Sequence, residues 1–237
     1  MPRSADAPAA LRLLGEREVL PSGGTVYVLG GTSALSDAVT FAITGLGDLA
    51  QRIAGADRFA TAVAIAGAMG DPSTVFEASG ANFPDALSAV PAAIATHGAI
   101  VLTNGSAQSS ATLAYLGAHA TIRYAVGGPA AWADPSAVAL AGATRYATSQ
   151  AVALAFFANA TGISVASGVT FPDALAGGVL AGTTNQPMLL VPPTGPLPEP
   201  PMAYLTTRHG KVTKSTGYGG TAAISNATLT AIGNALK

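Results

Sequence analysis

Short β-prone runs and alanine-rich stretches alternate along the chain. Residues 74–79 (TVFEAS) and 163–167 (ISVAS) are strand-like runs that stop at Gly80 and Gly168, and helical patterns follow them directly. Pro84 and Pro172 suit a first helical turn, where a missing N–H costs nothing, and Asp85 and Asp173 place a carboxylate at the positive end of the dipole. The Ala-rich run to Ala95 predicts a helix, with Pro91 as a kink or early stop. A second strand follows at 99–103 (AIVLT) and 187–191 (PMLLV), and a third at 121–128 (TIRYAVGG) ends in a glycine pair. Helices are predicted over 58–69 and 146–158. Strand, helix, strand order implies parallel pairing with right-handed crossovers, and near-continuous apolar strands imply a sheet covered on both faces. The expected fold is α/β, built from flavodoxin-like or Rossmann-like modules, each a mainly parallel sheet flanked by helices.

The pattern repeats. EASGANFPDAL at 77–87 returns as VASGVTFPDAL at 165–175, so Phe83 recurs as Phe171, and RIAGADRFATAVAIA from Arg52 returns as ALAGATRYATSQAVA from Ala139. A closing element carries the pairs Gly30-Gly31, Gly127-Gly128 and, more weakly, Gly219-Gly220. A unit therefore runs from the Arg-bearing segment through the FPDAL segment to the Gly pair. By that count residues 50–138 and 139–237 are complete modules, and residues 1–49 are expected to be the closing half of a truncated one.

Composition narrows the reading. With no Cys among 237 residues a disulfide framework is excluded, and a chain 49% hydrophobic can bury enough surface to order itself. Charged residues make up 10%, against about a quarter in a typical soluble domain. Eleven Lys and Arg against 12 Asp and Glu leave no global field for nucleic acid or anionic lipid, so an anionic partner must be met by a few placed arginines. Despite a mean hydropathy of +0.43, no apolar run approaches the roughly 18 residues of a membrane span; the most apolar stretch, 86–102, is broken by Ser88, Pro91, Thr96, His97 and Gly98. The amino end lacks the continuous apolar core of a secretory signal. No membrane insertion and no nucleic-acid partner are expected.

Candidate chemistry is sparse. The Gly pairs sit at strand ends, where open α/β sheets bind ligands, yet neither G-x-G-x-x-G nor G-x-x-x-x-G-K-[ST] is present, and a turn requirement explains them better. Asp85 and Asp173 read as helix-start acids rather than catalytic ones, and Phe83 and Phe171 as packed residues that set the chain's entry into the helix. Arg58 and Arg145 are each followed by an aromatic, Ala and Thr; such a repeated arginine is either the internal partner of a helix carboxylate or a contact to an anionic polymer. Asp57 precedes the first and Thr144 the second, so a neighbouring acid is not essential. His97, His119 and His209 lack ligand-like spacing, so neither metal nor cofactor is expected. No nucleophile elbow and no repeating Ser, His, Asp set is present, so no catalytic residue is assigned. Trp132 and the tyrosines are too scattered for a sugar-stacking row. The Pro-rich run 191–201 reads as a stiff extended crossover between PMLLV and the last helix.

RIAGADRFATAVAIA, ASGANFPDALSAVPAAIATHGAIVL and VYVLGGTSALS together resemble the type 2 cell-wall-binding repeats of Gram-positive surface proteins. The resemblance covers nearly the whole chain. It implies Rossmann-like or toprim-like modules, usually three in tandem about a pseudo-threefold axis, and a location outside the cell at the wall. It further implies non-covalent anchoring to an anionic secondary wall polymer, teichoic-acid-like or an anionic polysaccharide. The family's P-I-L-L segment maps onto Pro187, Met188, Leu189 and Leu190, and less well onto Ala99, Ile100, Val101 and Leu102, where Ala stands for Pro. Apolar strand residues are usually core, so their flanks Thr103, Asn104, Pro192 and Pro193 are the parts expected to reach a ligand. Arg58 and Arg145 are the implied source of positive charge. Two further expectations follow from the half module: that the chain is a piece of a longer surface protein, or that it self-associates by pairing between chains. The competing functions are a wall hydrolase or nucleotide-dependent enzyme working through the Gly turns, and a structural spacer with no polymer site.

Overall fold

Every strand pair among the described residues is parallel, and helices connect the strands. The computed structural model describes residues 23–119 and 122–237, and the chain divides into two units between Ala68 and Met69. In the smaller unit β1 (Thr25–Leu29), α1 (Asp37–Gly45), β2 (Leu49–Ile53) and α2 (Arg58–Ala68) follow one another, with Thr25 in register with Leu49. Arg52 on β2 donates to the Gly30 carbonyl at 2.7 Å and reaches Asp37 at 3.3 Å, which fastens the first Gly pair to the start of α1. Because Asp37 is 65% exposed, the ion pair itself adds little; the carbonyl contact holds the turn.

The larger unit contains two sheets. The first has the order β4-β3-β5-β6, from β3 (Thr74–Ser79), β4 (Ala99–Thr103), β5 (Ile122–Val126) and β6 (Val138–Leu140). The second has the order β8-β7-β9, from β7 (Gly162–Ser167), β8 (Met188–Val191) and β9 (Lys214–Tyr218). Phe76 is in register with Tyr124, and Ser164 with Thr216, so β3 and β7 are equivalent central strands beside which the strand order reverses. Two pairings show how successive repeats join. β2 lies beside β1, and β6 lies beside β5, so the strand that opens one repeat completes the sheet ending in the previous Gly pair.

The intervening helices are α3 (Pro84–Ala95), α4 (Ser110–Ala118), α5 (Gly128–Ala133), α6 (Arg145–Phe156), α7 (Pro172–Thr183), α8 (Glu199–Thr207) and α9 (Asn226–Leu236). Predicted and observed helices agree within two residues at 58–69 and 146–158. The helix at Pro84 differs from expectation, for it runs through Pro91 to Ala95 without stopping. Pro91 cannot donate to Leu87, but Leu87, Ala89, Ala92 and Ala93 around it are all buried, and that packing outweighs one lost hydrogen bond. The third strand ends earlier than the expected 121–128: β5 closes at Val126, because Gly127 turns the chain at φ 88°; residue 121 lies outside the described residues. The Pro-rich crossover delivers the chain to α8, with Pro198 extended just before it, and not to the last helix.

Buried apolar clusters and a helix seam hold the larger unit together. Phe76, Ala92, Val126, Leu140, Val152 and Phe157 form one core, and Ile163, Val165, Leu189, Tyr204, Ile224 and Ile232 another. α6 supplies Val152 to the first and Ala153 to the second, so it joins the repeats from between the sheets. Along the seam α3 lies parallel to α7: Phe83 meets Phe171 at the amino ends, with ring centroids 5.6 Å apart, and Ile94 meets Gly182 at the carboxyl ends. Gly178 and Gly182 permit this approach, since an added Cβ would stand 3.0 Å from Val90 and 2.7 Å from Ile94. Arg208, 6% exposed, donates to the carbonyls of Ala158 and Ala160, and the Tyr204 hydroxyl donates to that of Phe157 at 2.8 Å. Together they hold the carbonyls of the segment that follows α6, residues 157–160.

Candidate wall-facing site at the strand ends

In the larger unit the second copy of the Arg-bearing motif meets the carboxyl end of the central strand β7. The A-G-x-x-R-[FY]-A-T segment forms a sharp strand-to-helix corner. Gly142 donates its N–H to Thr148 Oγ1 at 3.2 Å, as Gly55 does to Thr61 at 3.0 Å. A side chain on either glycine would collide with the following Ala147 or Ala60, so Gly, Ala and Thr recur as one steric and hydrogen-bonding set. Asp57 Oδ1 accepts from Ala60 N at 2.8 Å, and Thr144 Oγ1 from Ala147 N at 3.2 Å. The two residues that differ ahead of the arginine thus perform the same N-cap task, which explains why an acid is not required there.

This corner fixes Arg145 as the first residue of α6. Its Nη1 donates to the carbonyl of Gly168, the residue that ends β7, and Gly168 packs against Tyr146 and the Arg145 stem. Across the repeat boundary the Thr148 hydroxyl and the Arg145 charge both act on the Asp85 carboxyl. Burial still dominates and holds the Asp85 carboxyl above its ordinary value, with Thr148 and Arg145 opposing. Asp85 is therefore more than a helix-start acid: it links the first turn of α3, the Gly127 turn and the corner of the next repeat. Sequence reasoning missed that linkage, although the joint recurrence of FPD, Gly-Gly and A-T was its signal.

The structure sorts the candidate residues by burial. Pro187 is buried, and Met188, Leu189 and Leu190 are 1%, 0% and 0% exposed. Ala99 and Val101 are buried, while Ile100 and Leu102 are half-buried. β8 is an edge strand, and its Leu190 N–H is satisfied by Ser149 Oγ of α6 at 3.1 Å. Both segments are thus sheet core, and what they present outward is their carboxyl-end flanks. Asn104 is exposed and Pro192 and Pro193 are half-buried, whereas Thr103 is fully buried with its hydroxyl on the Gly105 carbonyl at 2.8 Å. Parallel pairing of β7 with β8 ends with Ser167 beside Val191, so Gly168 and Pro192 leave the sheet from neighbouring strands. Arg145, Gly168 and Leu190 are thus brought together, with Arg145 half-buried at the rim. Arg58 is an exposed first residue of α2 in the other unit.

The Gly pairs are turns. Gly30, Gly127 and Gly219 have φ of 108°, 88° and 106°, a region essentially restricted to glycine. Among the described residues no group of three or more His, Cys, Asp or Glu could hold a metal ion, and no helix is long and apolar enough to cross a membrane.

Fold and rim define a tandem α/β repeat protein whose repeated residues build corners and seams and leave a polar strand-end surface. The chain belongs to the family described as Cell wall binding domain 2 (CWB2), whose model matches residues 52–136 and 139–229. As a member it is a cell-wall-binding module and has its place at the cell wall. It is 30% identical over 174 residues to the N-acetylmuramoyl-L-alanine amidase LytC of Bacillus subtilis (strain 168), a match covering 70% of this chain and 35% of that protein. Cwp8 from Clostridium difficile shares the fold at a TM-score of 0.79 and 22% identity, over 98% of this chain and 45% of its own. Cwp6 from Clostridium difficile does so at 0.81 and 20%, over 97% and 38%. The chain therefore spans about a third of the length of LytC and less than half of either solved protein.

Proposed function

We propose that the chain anchors a surface protein non-covalently to an anionic secondary polymer of the wall, teichoic-acid-like or an anionic polysaccharide, and does so without catalysis. The observation that carries this reading is the repeated arginine at the first residue of α2 and α6, in a chain otherwise poor in charge. At α6 it stands beside the carboxyl ends of β7 and β8. Placed cations of this kind meet a polyanion where the net charge of −1 gives no general attraction. The strand flanks Asn104, Pro192 and Pro193 supply further contact, while 99–102 and 187–190 hold those flanks in position from the core. Repetition favours a polymer as partner, because weak sites in tandem gain through effective concentration.

The test is retention of the purified chain on isolated Gram-positive walls, before and after acid extraction of the anionic polymer, at low and moderate salt. Loss on extraction, weakening by salt and loss in the Arg58→Ala, Arg145→Ala double variant are expected. Because Arg145 also holds Gly168, that variant is first shown to keep the native circular dichroism spectrum. Retention that survives extraction would assign the site to another wall component, and no retention on intact walls would favour a structural spacer.

A further inference from the structure

On the face of β3 opposite Phe76, five polar side chains meet inside the larger unit: Glu77, Gln108, Arg123, Asp134 and Ser136. Glu77 is wholly buried. One of its oxygens accepts from Gln108 Nε2, and the other, Oε1, has no hydrogen-bond donor among the described residues. Asp134, 7% exposed, stands at the end of α5, where Oδ1 accepts from Ser136 N at 3.0 Å and from Ser136 Oγ at 2.5 Å. Its Oδ2 lies 2.9 Å from Arg123 Nη1, close enough for an ion pair but without the direction of a hydrogen bond. The charged groups acting on Glu77 are Asp134 from the end of α5 and Arg123 from β5; Gln108, from the segment between β4 and α4, is neutral. Two buried carboxyl groups therefore face one cation. Both cannot be ionised without leaving a buried charge uncompensated, and Asp134, which holds the cation and the Ser136 donors, is the one that keeps its charge.

The repeat itself shows that the fold does not need this cluster. At matching positions the second repeat has Val165 for Glu77, Ser215 for Arg123 and Asn226 for Asp134, and it builds the same central strand with the same neighbours. A fully apolar solution exists at the site of Glu77, and the first repeat departs from it.

We propose that Glu77 and Asp134 form a proton-linked latch, in which one proton, carried by Glu77 and donated to Asp134 Oδ2, fastens β3 to the end of α5. Loss of that proton to solvent base sets two carboxylates against each other and frees this attachment, while Gln108 goes on donating to the other Glu77 oxygen. Burial pushes the Glu77 carboxyl up to about 7, with Asp134 adding and Gln108 and Arg123 opposing. For Asp134 burial also raises, but Ser136, Glu77 and Arg123 outweigh it and hold the group below its ordinary value. Between the ordinary glutamate value of 4.5 and about 7 the folded chain holds a proton that the unfolded chain has released. Stability therefore falls as pH rises through that window and levels off above it. The latch is independent of what the module binds.

Carboxyl carbon NMR of the whole chain measures the titration of Glu77 directly, and thermal midpoints from pH 5 to 8.5 are compared for the native chain and Glu77→Gln. A Glu77 titration near pH 7 is expected, together with a native midpoint that declines across the window and a Glu77→Gln midpoint that does not, since the amide donates to Asp134 without titrating. Titration of Glu77 with the ordinary carboxylates near 4.5, or parallel pH profiles in the two proteins, would overturn the latch. Should Glu77→Gln fail to fold, the titration of the native chain decides alone.

Discussion

Asp85 fills the space in which residue 127 would carry a side chain: a Cβ on Gly127 would collide with its carboxylate oxygen Oδ2. Asp173 stands in the same relation to Gly219, with Oδ2 2.5 Å from the Cβ position. The FPD acid and the first glycine of the pair thus recur together because one is the cavity for the other.

Gly127→Ala adds this collision to a backbone at φ 88°, ψ 156°, a region open essentially to glycine alone, and should destabilise the chain by roughly 2–4 kcal/mol. Gly128 has nothing within 4 Å of a Cβ and begins α5, so Gly128→Ala should be neutral or gain about 0.5 kcal/mol. Chemical denaturation of the two variants separates them; equal effects would remove Asp85 from the account of the turn.

Thr148 has a double role, accepting from Gly142 N–H and favouring the ionised form of Asp85. Thr148→Val keeps the shape and strips out both, leaving an amide and a carboxylate short of partners, at a cost of about 1–3 kcal/mol. It should also move the Asp85 carboxyl further up, since the Thr148 contact opposes the effect of burial. A carboxyl NMR titration checks this: an Asp85 value that stays put in Thr148→Val would show that the hydroxyl does not act on it.

Much of this was legible in the sequence and some was not, for physical reasons. Strands 74–79 and 99–103 and the helices at Pro84 and Pro172 follow from local pattern, because apolar runs, Pro and Gly act within a few residues. α4 passed unremarked, since its start signal is the single cap from Ser109 to Thr112 N at 3.1 Å. β6 is a three-residue strand that exists through pairing with β5, a long-range relation with no local signature. Pro91 misled, because burial on several sides overrode its helix-breaking tendency. At the site, Arg145 was singled out by recurrence, but its tie to Gly168 spans 23 positions and no spacing argument reaches it.

Asp134 is expected to contribute to the acid limb of stability. Its carboxyl lies below the ordinary value of 3.8 through the combined pull of Ser136, Glu77 and Arg123 against burial. A depressed acid contributes stability that is complete above its unfolded value and is lost as pH falls through the folded one. The native chain should therefore lose stability progressively below about pH 4, and Asp134→Asn should flatten that limb. The same variant should be weaker at neutral pH by roughly 1–3 kcal/mol, because Arg123 and Ser136 lose their acceptor charge. Unfolding midpoints at pH 3 and pH 6 decide the matter: an undiminished acid loss in Asp134→Asn would place its origin elsewhere.

The seam between α3 and α7 rests on volume matching, so it can be exchanged across the contact. Gly182 faces Ile94, whose Cβ would lie 2.7 Å from a new methyl group. Gly182→Ala gains helix propensity of up to about 1 kcal/mol, but the methyl must displace a branched side chain held between packed helices, and such overpacking costs about 1–3 kcal/mol. The net effect should be destabilising. Ile94→Ala alone removes bulk opposite the glycine and should also weaken the seam. Combined with Gly182→Ala it vacates the space that the methyl needs, so the double variant should be more stable than the sum of the single losses. A coupling of 0.5 kcal/mol or more in a double-mutant cycle is the size reported by neighbours in contact. Additive losses would mean that the two helices can move apart, and that Gly182 serves its own helix and not the contact with its partner.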